Sequence, residues 1–306
     1  MVKNASPQSG DVYLKFNGRD AYVEIPSLGD YSVSATGGFT VAAWLRPDTL
    51  NFPSVEKNKD YIHWLGKGER SGAEGNQEWT FRMYNHDNLL ESPSRPNRIS
   101  FYLFNPQGGL GVGSFVQVPI QKRQWIHVAG VADGSRTFFY KDGQYIRCDT
   151  YRGPAQGSCE IHYQDPPNQR LQLVINPEAG PAPLRFGTKD LGSFFQGGLT
   201  RVRLWNRALH ASDIVTLYSA DVVPTEGLVA EFLLSANTGV TAVDTAKKKR
   251  REHFQCHLGH AGITRGALIL RGPEMARNSG CHAKCPSARA IPCWAVAQQP
   301  PKIHPE

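Results

Sequence analysis

The chain has 306 residues, 40% hydrophobic and 10% aromatic, with 30 Gly, 21 Pro and a formal net charge of +7. This composition suits many strands joined by turns rather than a helical bundle, and no run of 18 apolar residues is present to span a membrane. Eleven of the Lys and Arg stand from Lys247 onward against Glu252, Glu274 and Glu306, which leaves residues 1–246 at a net charge of −1 and removes the main support for a nucleic-acid partner.

The N-terminus, MVKNASPQSGDVYL, shows no apolar signal-peptide core, so an intracellular protein and a processed secreted one both remain open. Val12 to Ile25 reads as a strand, an Asn17-Gly18 turn of the hairpin type and a second strand. Phe39 to Pro47 alternates Phe39, Val41, Ala43 and Leu45 against Thr40, Ala42, Trp44 and Arg46. Residues 48–77 are polar and irregular around an apolar patch at Tyr61 to Leu65, and are expected to form a long loop. Trp79 to Asn85 sets Trp79, Phe81 and Met83 on one face and Thr80, Arg82 and Tyr84 on the other, with His86 continuing the second row. Ile99 to Phe104 likewise opposes Ile99, Phe101 and Leu103 to Ser100, Tyr102 and Phe104.

Gln124 to Arg147 contains two Asp-Gly turns, at Asp133-Gly134 and Asp142-Gly143, and hence two hairpins. Residues 148–183 form a Pro-rich insertion with a candidate strand at Leu171 to Ile175; Cys148 and Cys159 at its base could close a disulfide or remain two thiols. Leu199 to Trp205 alternates Leu199, Arg201, Arg203 and Trp205 against Thr200, Val202 and Leu204, and a short helix follows from Ala211 to about Tyr218.

These stretches together resemble the laminin-G-like and concanavalin-A-like lectin-glucanase jelly-roll family. The motifs are the Phe-Asn-Gly turn before Tyr22-Val23-Glu24-Ile25, the strand ending at Pro47, the Trp125-x-His127-Val128-Ala129 strand with its Asp-Gly turns, and Phe194 to Tyr218. The resemblance covers about residues 10–220 and implies an all-β fold, a two-sheet antiparallel sandwich with helix confined to 211–218. Residues 226–246 resemble a further family element that either closes this sandwich or opens a second one. The expected domain spans 10–240, and 247–306 is a basic tail, poorly ordered or out of frame. An extracellular or secreted setting is also implied by the family.

The resemblance fixes fold better than function, because such sandwiches host lectins, adhesion modules and glycan-cleaving enzymes. No Glu-x-Asp-x-x-Glu run is present, so the paired carboxylates of retaining jelly-roll glucanases are missing. The constellation that could carry chemistry is Arg82, Tyr84 and Tyr102 with Arg201, Arg203 and Trp205: aromatic rings stack on sugar C–H faces and Arg grips a uronate or sulfate. The leading expectation is non-catalytic binding of a polysaccharide, with an acidic one suited to the Arg residues. One alternative is a lyase on a uronic-acid glycan with Tyr84 or His86 as base and Arg82 as neutraliser; another is a protein-binding adhesion module that uses the rim loops 48–77, 86–98 and 148–183. His127 and the family-matching Trp44, Trp125 and Trp205 also read as packing residues.

Calcium is a family expectation. Asn17 and Asp244 match positions where the family often has Asp, although Asn17 also suits its turn and Thr200 stands where an acid is common. In the tail, KKKRR resembles a polyanion patch, and Cys281, Cys285, Cys293 and His282 resemble zinc ligands without a paired second knuckle.

Overall fold

The computed structural model describes residues 5–8, 11–26, 31–33, 37–69, 76–164, 171–234, 241–242 and 244–246, with the backbone of 254–255, 259–264 and 267–271; all lie within Met1–Ala276. Its first strands are β1 (Tyr13–Asn17), β2 (Val23–Ile25), β3 (Phe39–Pro47), β4 (Tyr61–Gly68), β5 (Gln77–Tyr84), β6 (Ile99–Leu103) and β7 (Val112–Val116). Then come β8 (Ile126–Ala132), β9 (Arg136–Lys141), β10 (Gln144–Thr150), β11 (Glu160–Ile161), β12 (Tyr163–Gln164), β13 (Leu171–Gln172), β14 (Leu184–Phe186) and β15 (Gln196–Trp205). The helix α1 (Ala211–Ala220) precedes β16 (Leu228–Phe232), β17 (Thr241–Ala242), β18 (Phe254–Gln255), β19 (Gly259–Thr264) and β20 (Ala267–Arg271).

Two sheets carry the fold. The larger runs β11-β10-β9-β8-β3-β15-β1-β20-β19, with β16 paired to β15, and the smaller runs β2-β14-β4-β5-β6-β7. Pairing within the smaller sheet is antiparallel throughout. The core between the sheets holds Phe16, Phe39, Val41, Leu45, Trp64, Trp79, Phe81, Phe101, Phe139, Leu199, Val202 and Leu204, among others. The all-β sandwich with one short helix is therefore the observed architecture.

Both Asp-Gly turns make their hairpins, β8 with β9 and β9 with β10. Asp142 and Gly143 both take positive φ, 49° and 76°, as a tight two-residue turn requires. The Asn17-Gly18 turn does not make a hairpin. β1 pairs β15 in the large sheet, whereas β2 pairs β14 in the small one, so the turn is a corner between sheets. Its geometry comes from Asn17, whose Oδ1 accepts the backbone N–H groups of Arg19, Asp20 and Ala21.

The alternation expected along β15 is interrupted. Its pairing with β3 shifts between Thr200 and Arg203, and Arg201 sits at φ 50°, so a bulge resets the phase. Leu199, Val202 and Leu204 consequently share the inter-sheet core, and Trp205 points to the opposite side.

That opposite side is covered by α1. Ile214 and Leu217 of the helix pack with Ala42, Val131, Tyr140 and Trp205 in a second apolar cluster. The His210 N–H donates to Asp213 Oδ2 at 3.2 Å at the start of the helix, and Asp221 closes it at φ 55°. No helix among the described residues is long and apolar enough to cross a membrane.

The expected long loop at 48–77 contains β4, a central strand of the small sheet. Residues 228–232 close this sandwich as β16 on β15, continued by a bridge from Phe232 to Asp244. In the tail from 247, the described backbone forms β18, β19 and β20, with β20 parallel to β1. KKKRR and the Cys281, His282, Cys285 and Cys293 set lie outside the described residues. Cys148 and Cys159 form a disulfide.

Candidate binding face on the smaller sheet

With α1 lying over the large sheet, the outer face of the small sheet is the one presented by β4 to β7. Antiparallel register aligns its side chains in rows. His63 stands opposite Arg82, Arg82 opposite Ser100, and Ser100 opposite Phe115; in adjoining rows Tyr61 faces Tyr84, and Thr80 faces Tyr102. At the usual strand spacing, four strands make a strip about 15 Å across.

Arg82 lies at its centre, with its guanidinium 4.6 Å from the centre of the Tyr61 ring, 4.9 Å from Tyr102 and 5.3 Å from Phe104. These are cation-π contacts, which stabilise the charge but do not neutralise it. Among the described residues no carboxylate lies within ion-pairing distance of Arg82, and its Nε is buried without a hydrogen-bond partner. Arg98 has the same character: its Nε donates to Gln117 Oε1 at 2.9 Å, its guanidinium lies 3.7 Å from the centre of the Phe115 ring, and no carboxylate pairs with it among the described residues. By contrast, Arg147 on the other contact to Phe115 is paired with Asp149 and Glu160, and Arg95 approaches Glu91 at 3.6 Å.

Tyr102 stands between the guanidiniums of Arg82 and Arg98, of which Arg82 hydrogen-bonds to the Tyr84 hydroxyl and Arg98 to that of Tyr102. Burial and then Tyr84 push its phenol up to about 12, so it stays protonated. Tyr84 is fully buried and its hydroxyl accepts from Arg95 Nη1 at 3.1 Å. His86 is exposed and its Nδ1 meets Asn97 Nδ2 at 3.0 Å; the amide donates, so that lone pair is occupied. Neither Tyr84 nor His86 is thus presented as the base that β-elimination needs, one being enclosed and the other capped.

The structure brings Arg82, Tyr84 and Tyr102 together and leaves Arg201, Arg203 and Trp205 on the other sheet. Arg203 is buried between Asp221 at 2.7 Å and Glu231 at 2.8 Å. Trp205 is fully buried under α1, donating its Nε1–H to the Pro224 carbonyl at 2.7 Å, so it offers no ring face to a sugar. Arg201 lines a small cleft with Asp11, Thr200 and Asp221. His127 is a packing residue, held between Trp44 at 5.2 Å and Tyr218 at 6.0 Å.

Asn17 and Asp244, the residues of the calcium expectation, are engaged with the backbone. The Asn17 oxygen already accepts three backbone N–H groups and its Nδ2 donates to Asp20. Asp244 Oδ1 accepts from the N–H of Glu231 and of Ala246, fixing the β16 end of the sandwich. Both side chains do turn and bridge work.

Tyr61, His63, Phe104, Arg98 and Phe115 belong to the face although the sequence reading assigns them no ligand role. Phe104 and Phe115 carried the one usable signal, apolar residues in the polar row of an alternating strand.

Residues 17–159 match the family model of the concanavalin A-like lectin/glucanases superfamily. Among curated proteins no match is found. Similar solved structures include the following three. A Bacteroides ovatus protein proposed to bind carbohydrate has a TM-score of 0.49 at 16% identity, over 85% of this chain and 62% of that one, so this chain spans under two thirds of its length. The SAP-like pentraxin of Limulus polyphemus gives 0.41 at 17% identity over 69% and 83%. The CBM40 of the Ruminococcus gnavus IT-sialidase gives 0.45 at 12% identity over 67% and 96%.

Proposed function

We propose that this chain, whose residues 17–159 carry the concanavalin A-like lectin/glucanases pattern, binds carbohydrate on the outer face of its smaller sheet and recognises an acidic group there. One observation carries the reading: Arg82 and Arg98 flank Tyr102 with no carboxylate partner among the described residues. A half-buried cation kept among aromatic faces has lost much of its hydration, and an anion that reaches it regains that loss as binding energy. A sugar carboxylate or sulfate supplies the anion, and the ring attached to it lays its C–H face on Tyr102.

Binding without catalysis is the reading we favour, because Tyr84 is enclosed and the Nδ1 of His86 is capped, which weighs against the lyase alternative through either residue. The disulfide between Cys148 and Cys159 supports an oxidising, extracellular setting. The test is binding of the full chain to an array of neutral, uronate-containing and sulfated oligosaccharides. Signals concentrated on the acidic members are expected; signals on neutral glycans alone, or on none, overturn the proposal.

A further inference from the structure

Beside Arg82, at the β4 side of the same face, three ligating side chains converge. Glu56, His63 and Asp190 each offer one atom, and the three atoms lie within 4.8 Å of one another. All three are tied to β4. The Glu56 N–H donates to the Tyr61 carbonyl at 2.8 Å, and the His63 N–H donates to Ser193 Oγ at 3.0 Å, which anchors the turn carrying Asp190.

The imidazole tautomer follows from its neighbour. Thr80 Oγ1 lies 3.1 Å from the Leu65 carbonyl and 3.3 Å from the Phe81 carbonyl, so its single proton goes to a carbonyl. Facing His63 Nδ1 at 2.9 Å, the hydroxyl therefore accepts, and Nδ1 carries the ring proton. Nε2 is left with its lone pair. The atom it faces is Glu56 Oε2 at 3.9 Å, beyond hydrogen-bonding reach. His63 is only 2% exposed. In this tautomer a ring lone pair is directed at a carboxylate, an arrangement that a cation between them satisfies.

We propose that Glu56, His63 Nε2 and Asp190 hold a first-row divalent cation, of which zinc is the best match. An imidazole with two carboxylates suits Zn²⁺, whereas Ca²⁺ and Mg²⁺ take oxygen ligands. Two ligands on a tetrahedral zinc stand about 3.4 Å apart, so the 3.9 Å gap closes with a small side-chain adjustment. The surroundings supply the outer contacts such a site uses. The Nδ1–H donates to Thr80, the Asp190 Oδ1 accepts from the Gly192 N–H at 3.1 Å, and its Oδ2 is 3.1 Å from Lys189 Nζ. Three protein ligands leave one position on the ion open.

The test is cobalt uptake by the full chain after chelator treatment, followed by visible spectroscopy and competed with zinc. Cobalt also separates this site from the tail cysteines, because thiolate ligands add a charge-transfer band that nitrogen and oxygen ligands lack. One cobalt bound without that band, with affinity lowered at least tenfold in both Glu56→Gln and Asp190→Asn and unchanged in Asp244→Asn, is the expected result. No such binding by the wild-type chain, binding seen only with the thiolate band, or equal binding by Glu56→Gln overturns the proposal. Circular dichroism checks that each variant folds; should Asp190→Asn fail to, the half-buried Glu56 position decides.

Discussion

The Arg82 guanidinium lies 4.6 Å from the centre of the Tyr61 ring, across the β4–β5 pair, and 4.9 Å from that of Tyr102 across the β5–β6 pair. Three adjacent strands thus hold one charge by its neighbours' π faces. A structural arginine in such a sheet is expected to look like Arg185 instead, which bonds Glu24 at 2.7 Å and Glu69 at 2.8 Å. The difference between these two arginines of the same sheet is what directs attention to an external anion.

Arg98 extends the same argument to the next strand pair. Replacing it by Gln removes one donor fork and leaves the Phe115 ring in place, so affinity for an acidic oligosaccharide falls roughly tenfold, about 1.4 kcal/mol. Affinity for a neutral one is unchanged. Titration calorimetry on wild type and variant reads both numbers.

His127 makes stability depend on pH. Burial, then Arg203 and Arg201, lower it from 6.5 to about 3, so it is neutral when folded and takes up a proton on unfolding below about 6.5. The unfolded state therefore binds more protons between those values. Its contribution is constant above pH 6.5 and is lost as pH falls through the window, at up to about 1.4 kcal/mol per unit. Melting temperatures from pH 7 to pH 4 should fall less steeply in His127→Gln than in wild type, even though the variant starts lower through lost packing. Parallel slopes would contradict this.

Lys67 and Glu78 are both buried and form an ion pair, with Lys67 Nζ also donating to the Gly180 carbonyl at 2.6 Å. Burial raises the Glu78 carboxyl despite that partner. Lys67→Met leaves the acid buried without its cation and should cost about 3–5 kcal/mol in denaturant unfolding, whereas adding Glu78→Leu should recover part of the loss.

The disulfide closes a loop over a separation of 11 residues. Its removal in Cys148→Ser with Cys159→Ser should lower stability by about 2.7 kcal/mol on the chain-entropy estimate. Because Arg147 precedes Cys148 and stacks on Phe115, the double variant should also weaken acidic-glycan binding modestly.

Local signals read well from the sequence. Asp133-Gly134 and Asp142-Gly143 specify their hairpins because the turn chemistry and both flanking strands lie within a few residues. Asn17-Gly18 carries the same signal and yields a corner, since a turn dipeptide sets backbone angles and not the sheet that the next strand enters. The alternation in β5 and β6 put Arg82, Tyr84 and Tyr102 on one face. In β15 it failed at the Arg201 bulge, an insertion with no composition of its own.

β4 was hidden for a different reason. Tyr61–Gly68 is buried along its whole length and its pairing shifts between His63 and Leu65, so no period-2 pattern survives. Without β4, neither the Tyr61 contact to Arg82 nor the meeting of His63 with Glu56 and Asp190 could be foreseen. Asp190 and Glu56 reach the site from loops whose placement only the assembled sheet determines.

Under the proposed function, Arg82 reads an anionic group on a sugar. This is tested most directly by titrating the full chain and its Arg82→Met variant with a uronate oligosaccharide and with the carboxyl-reduced form of the same oligosaccharide. The wild-type chain should bind the carboxylate form at least tenfold more tightly, and the folded variant should bind both forms alike. Equal affinity of the wild-type chain for the two forms, or a preference that survives in Arg82→Met, would contradict it.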